Sequence, residues 1–227
     1  MADRYKAIES GEVSASIDSG RQVDEDARQI MTKADVKFRW APNGLYSLEV
    51  IEEADDKPPY QVVSNGTKRW VYVAELKQYQ ETNASVESKA ISAVEAEPAG
   101  PLAGAESYTE RLVRQIFSRL ANVDKTTDNA FVRGNIITLL GKPDANGKGV
   151  LMYVTMANEQ GDVSKVSWYQ SDGPDGTRML VRTDFVFSSQ KELKPAPQAS
   201  EFSFTPPPDA ALSTGAAVSA ASSEHHN

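Results

Sequence analysis

Apolar residues in this chain recur at every second position, in short runs broken by turn dipeptides, and that period confines most of it to β-strands with one buried face. Val13, Ala15 and Ile17 alternate with small polar residues, and Val36, Phe38 and Trp40 alternate with Lys37 and Arg39. Pro42-Asn43-Gly44 then marks a turn, and Tyr46, Leu48 and Val50 resume the alternation, which predicts a hairpin. Asn65-Gly66 divides Val62-Val63 from Trp70–Val73 in the same way. Further strands are predicted at Ile136–Leu140, Val150–Met156, Val163–Tyr169 and Met179–Phe187. In the last, Met179, Val181, Thr183, Phe185 and Phe187 share one face, and Arg182, Asp184 and Ser188 lie on the other. Turn-forming stretches at 144–147, 160–162 and 172–176 separate these runs, so the strands read as an antiparallel meander.

Three stretches depart from that period. Residues 3–10 predict a short helix with Tyr5 and Ile8 on one face. Residues 81–106, rich in Ala, Ser, Glu and Pro, read as a mobile connection with one weak helix at 85–96. Ser107-Tyr108-Thr109-Glu110 is a capping box opening a helix whose apolar stripe is Leu112, Val113, Ile116, Phe117 and Leu120. The expected organisation is one domain over 1–208 and a disordered Pro-, Ala- and Ser-rich tail over 209–227.

Composition removes several kinds of chemistry. The chain of 227 residues has no cysteine, which excludes disulfides, thiolate nucleophiles and cysteine metal sites. Its two histidines, His225 and His226, lie in the tail, so Ser-His-Asp catalysis and histidine metal centres are not expected. With 24 Lys+Arg against 32 Asp+Glu the net charge is -8, which argues against a nucleic-acid footprint and against docking on anionic lipid heads. No Gly-rich phosphate cradle is present, and no apolar run reaches the ~20 residues of a membrane span. A two-carboxylate hydrolase remains an alternative, although acidic residues are ordinarily solvated. The sequons at Asn65 and Asn83 are short patterns that recur by chance. Met1-Ala2-Asp3-Arg4 leads straight into a polar stretch with no signal-peptide pattern, which fits a cytosolic chain or a mature form with a replaced leader.

Three segments resemble the LolA family of outer-membrane lipoprotein carriers. Val36 to Leu45 is similar to that family's strand ending in an Arg-Pro-Asn turn. Val62 to Tyr72 is similar to its second hairpin, and Glu201-Phe202-Ser203-Phe204-Thr205-Pro206-Pro207 to its terminal strand. The resemblance spans roughly 3–208 and implies an α+β fold: a single strongly curved antiparallel sheet, an open half-barrel, with helices covering the concave apolar side. It implies a periplasmic, monomeric, non-enzymatic carrier that binds acyl chains of lipoproteins or other lipids and passes them toward the outer membrane. Its partners would be an inner-membrane exporter and an outer-membrane acceptor, with no cofactor, metal or nucleic acid. The same fold serves non-shuttling lipid-binding and sensor modules, which is the alternative. The family's Arg before Pro-Asn, linked to lid closure, is Ala41 here, with Arg39 two residues back.

From periodicity alone the aromatic residues read as ordinary core. Under the resemblance they line the hollow, and the expected ligand-binding set is Phe38, Trp40, Leu48, Val50, Trp70, Tyr72, Ile116, Phe117, Leu120, Met152, Tyr153, Trp168, Phe185 and Phe187. Met152 and Met156 would suit a variable cargo because Met adapts its shape. Residues 81–106 with the following helix are expected to act as a lid.

Overall fold

The computed structural model describes residue 5 and residues 7–22, 28–53, 58–84, 107–141, 150–171 and 180–213. The strands are β1 (Gly11–Gln22), β2 (Arg28–Ala41), β3 (Leu45–Glu52), β4 (Tyr60–Asn65), β5 (Lys68–Val73), β6 (Gln78–Asn83), β7 (Thr127–Arg133), β8 (Ile136–Gly141), β9 (Val150–Met156), β10 (Val163–Ser171), β11 (Leu180–Glu192) and β12 (Ala211–Leu212). The helices are α1 (Tyr108–Ala121) and the single turn α2 (Val123–Thr126), with a 3-10 turn at Ala199–Phe202.

All twelve strands form one sheet in the order β12-β6-β5-β4-β3-β2-β1-β11-β10-β9-β8-β7. Two meanders, β1–β6 and β7–β11, are joined where β1 pairs antiparallel with β11 from Gly11↔Glu192 to Arg21↔Val181. The sheet is mixed, because β12 lies parallel to β6. The β2–β3 turn is set by Asn43 (φ 65) and Gly44 (φ 75), residue types that tolerate left-handed backbone. At Gly66 (φ 84) a Cβ would collide with the Asn43 carbonyl, so the two hairpin tips touch only because the second carries Gly. Asn65 fixes that second tip, its Oδ1 accepting from the Thr67 and Lys68 amides at 3.1 and 2.8 Å.

Burial divides the sheet into two faces. The face carrying α1, called inner below, holds the main core: Val13, Ala15, Ile17, Val36, Phe38, Leu48, Val50, Val62, Val71, Val73, Val154, Val166 and Phe185. The register confirms a shared side, with Val36↔Val50, Leu48↔Val62 and Val62↔Val71 directly opposite. A smaller cluster of Ala41, Val63 and Phe202, flanked by Leu45, Trp70 and Phe204, lies on the outer face.

The expected α+β half-barrel with helices covering its concave side does not form. Among the described residues helix comprises the 14 residues of α1, the four of α2 and the helical positions Tyr5 and Ala7. A 14-residue helix is about 21 Å long and about 10 Å wide. Twelve strands spaced about 4.8 Å apart present about 55 Å of width. One such helix covers only part of that face, and the sheet is open, with β12 and β7 as its two edges. The expected turns at 144–147 and 172–176, Met179 and the expected helix at 85–96 lie outside the described residues. The domain boundary read at 208 falls just before Asp209, and the described chain continues through β12 to Ser213.

Candidate functional site

Three sets of side chains meet where α1 lies on the inner face. The first is its apolar stripe. Leu112, Val113, Ile116 and Leu120 are buried in the main core, one or two per turn, as the 3.6-residue period requires.

The second is a group of stacked aromatic rings. Phe117 lies 5.6 Å from Phe38, 5.0 Å from Trp40 and 6.0 Å from Phe187, and Phe38 stacks on Trp40 at 5.4 Å. Each such pair is worth about 0.5–1.5 kcal/mol beyond its buried area. Phe38 is buried, whereas Trp40, Phe117 and Phe187 are only partly so, making this group the described lip of the apolar interior. Gly11 faces Trp40 across β1 and β2, and a Cβ there would come within 2.6 Å of the Trp40 ring. Beside Trp40 a cavity of about 20 Å³, lined by Tyr5, Ile8, Val13 and Gln190, has room for about one water.

The third set is polar and buried. Glu110, 0% exposed, accepts from Arg69 Nε at 2.9 Å and Arg69 Nη2 at 2.5 Å, and from the Tyr46 hydroxyl at 2.6 Å. Arg69 is itself 5% exposed. Ser107 Oγ caps α1 by accepting the Glu110 amide at 3.1 Å, and bonds the Tyr60 hydroxyl at 2.6 Å. One turn later Arg114 lies over the Tyr46 ring at 5.3 Å. Beside this, Ser19 bonds the Tyr108 hydroxyl at 3.0 Å and Thr183 at 2.7 Å. The start of α1 is thus fastened to β1, β3, β4 and β5. Burial pushes the Tyr46 phenol far above its ordinary range, and the neighbouring Glu110 carboxylate pushes it further. Tyr60 and Tyr108 are raised by burial as well.

The expected ligand-binding set is split between the faces. Phe38, Leu48, Val50, Ile116, Leu120, Met152, Trp168 and Phe185 lie buried in the inner cluster, with Trp40, Phe117 and Phe187 packed against it. Trp70 and Tyr72 face the other way, at 6.4 and 5.7 Å from Phe204. Tyr153, 37% exposed, also points outward and meets Tyr169 edge-on at 5.7 Å. The cause is strand period: in β5 Arg69, Val71 and Val73 take the inner positions, leaving Trp70 and Tyr72 on the outer ones. Ala41 belongs to the outer cluster with Phe202. Arg39 is held on that same face by Glu201 at 2.7 Å, with its guanidinium 5.5 Å from the Phe202 ring centre. Residues 85–106, most of the expected lid, lie outside the described residues.

Sequence reasoning missed the Arg69–Glu110–Tyr46 network. Glu110 was visible only as a capping residue, and Arg69 only as a polar member of a hairpin. The usable signal was that Arg69 sits two residues before Val71 and so shares its face. Among the described residues no group of three or more His, Cys, Asp and Glu is placed to hold a metal ion.

No family model and no curated protein matches this sequence. Solved structures with remotely similar folds include an uncharacterized conserved protein from Thermus thermophilus (TM-score 0.46, 9% identity, covering 93% of each chain). Another is a DUF1329 family protein from Desulfovibrio piger (0.39, 11%, covering 89% of this chain and 92% of that one). A third is a domain assigned to outer-membrane lipoprotein sorting from Vibrio parahaemolyticus (0.35, 10%, covering 88% and 94%). At these scores the likeness is one of general architecture and carries no functional argument.

Proposed function

We propose that this protein binds the acyl chains of a lipid or lipoprotein between α1 and the inner face of the sheet, without covalent chemistry, and carries them across a periplasmic space. The observation that supports this reading most is the aromatic lip of Trp40, Phe117 and Phe187, partly exposed and continuous through the buried Phe38 with the apolar cluster of the inner face. Acyl chains gain about 0.8 kcal/mol per buried CH2, so an interior of this kind binds them without a specific polar contact. No helix among the described residues is long and apolar enough to cross a membrane.

A second reading, a module that holds lipid without shuttling it, is favoured by the way α1 is fastened. Two buried charges and two buried tyrosines bind its first turn to the sheet. Position 41, where the resembling family has its latch arginine, is an alanine covered by Phe202 on the outer face. Both readings require acyl binding. A neutral fluorescent acyl ester titrated at low and high salt tests it, with saturable binding that barely changes with salt as the expected result. Absence of saturable binding overturns both. Transfer of the bound probe to acceptor vesicles then favours the carrier, and retention favours the module.

A further inference from the structure

Along the flank of α1 nearest β10 and β11 runs a row of side chains that the apolar reading leaves unused. Arg111, Gln115 and Arg119 are spaced four residues apart, so they form one ridge about 12 Å long. Arg111 Nε and Gln115 Oε1 are buried and have no hydrogen-bond partner. Across from Arg119, at the end of this row, Trp168, 3% exposed, buries an indole N–H that is also without a partner. The Arg119 guanidinium lies over that indole at 4.8 Å from the ring centre. None of the described acidic side chains is in ion-pair contact with Arg111 or Arg119, and burial alone pulls Arg119 below the usual arginine range. Unmet buried polar atoms carry a desolvation cost that native proteins normally avoid, and two donors with one acceptor, Arg111 Nε, Trp168 Nε1 and Gln115 Oε1, mark a place where something else bonds.

We propose that Arg111, Gln115, Arg119 and the Trp168 indole form a site for the oxyanion head group, phosphate or carboxylate, of a single amphiphile whose chain occupies the inner apolar face. The inference rests on the acyl-binding reading above and names the class of its ligand. Two guanidinium groups and an indole N–H supply donors to several oxygens of one head, and the Gln115 amide can turn either end toward it. The apolar neighbours of Trp168 on the sheet are Met152 and Phe185: Trp168 is opposite Met152 in the β9–β10 register and opposite Thr183, two residues from Phe185, in the β10–β11 register. Head and chain sites are therefore contiguous. The guanidinium groups are fixed charges over any working pH, so the preference follows the ionisation of the ligand's head and not that of the protein.

The test compares dodecyl phosphate, dodecanoate, dodecanol and inorganic phosphate on the intact protein at mildly alkaline pH, by calorimetry. The two anionic amphiphiles are expected to bind about tenfold or more tightly than dodecanol, and inorganic phosphate far more weakly than dodecyl phosphate. The double variant Arg111→Met, Arg119→Met should bring the anionic ligands to within about threefold of dodecanol. Trp168→Phe, which removes one donor and keeps the ring, should lower the preference by about threefold and gives a reading should the double variant not fold. Equal affinity for dodecanol and dodecyl phosphate in the native protein overturns the head-group site and leaves acyl binding standing. Inorganic phosphate binding as tightly as dodecyl phosphate also overturns it, by showing a free-ion site. Failure of every chain-bearing ligand to bind removes the acyl-binding reading itself.

Discussion

Arg69 and Glu110 illustrate how much depends on single residues in this molecule. Each is buried, and each satisfies the other through two hydrogen bonds, with Tyr46 supplying a third to the carboxylate. Breaking such a pair by removing one partner leaves an uncompensated buried charge and costs about 3–5 kcal/mol. Arg69→Met is therefore expected to lower unfolding free energy by that amount in urea. The double replacement Arg69→Met, Glu110→Leu should recover a large part of it, because no charge is then left buried. A single variant as stable as the native protein would show that the pair is not the fastening of α1. Asp184, on the outer face, makes a pH-dependent contribution. Burial pulls its pKa upward, but hydrogen bonds from Ser167 at 2.5 Å and Arg182 at 2.8 Å outweigh that and hold it below the usual range. A carboxylate lowered in the folded state stabilises above its unfolded pKa of about 4, and that contribution disappears as pH falls through the folded value. The stability difference between native protein and Asp184→Asn should thus be clear near about pH 6 and shrink toward about pH 3. A difference that stays constant over that interval would contradict the assignment.

At the level of elements, the strands were legible where their alternation was clean, and the helix where its cap and stripe coincided. β1, β2, β3, β5, β9, β10 and β11 all fall on the runs of alternating apolar residues. β7 was not legible. Its sequence, Thr-Asp-Asn-Ala-Phe-Val-Arg, carries no alternation, and as an edge strand it is exposed on both faces, with Val132 72% exposed. β12 was hidden for a related reason: two residues in a Pro-rich stretch pair with β6 through backbone bonds, Ala211 N to Lys77 O at 2.8 Å and Ser213 N to Tyr79 O at 2.7 Å, that no side-chain pattern announces. Two predictions belong here. Phe117→Ala removes the ring that links α1 to Phe38, Trp40 and Phe187, and for a half-buried aromatic the expected loss is about 2 kcal/mol in denaturant titrations. A loss below about 0.5 kcal/mol would mean that the lip is not packed. Gly66→Ala forces a Cβ into the Asn43 carbonyl at a positive φ and should cost about 1–2 kcal/mol. Gly134→Ala, also at positive φ (60) but with open space around it, separates the steric part from the backbone part.

Across the whole molecule, period two correctly announced a sheet-dominated chain, but it does not say which of two faces each strand turns inward. That ambiguity placed Trp70, Tyr72 and Tyr153 in the same expected hollow as Trp40 and Trp168, although β5 and β9 present them to the outer face. The long-range join was equally invisible: the two meanders meet through β1 and β11, more than 160 residues apart in the pairs Gly11↔Glu192 and Ser19↔Thr183. The small share of helix follows from chain content, since only one stretch of the described sequence combines a cap with a stripe long enough for four turns. The central claim, that acyl chains bind on the inner face, places Trp40 and Trp168 on the ligand's side of the sheet and Trp70 on the other. Tryptophan quenching by a methyl ester of a brominated fatty acid reads that difference directly, because bromine quenches only at short range. A variant retaining Trp40 alone (Trp70→Phe, Trp168→Phe) should be quenched saturably by the ester. A variant retaining Trp70 alone (Trp40→Phe, Trp168→Phe) should keep its emission. Quenching of Trp70 as strong as that of Trp40, or of neither, would contradict the account.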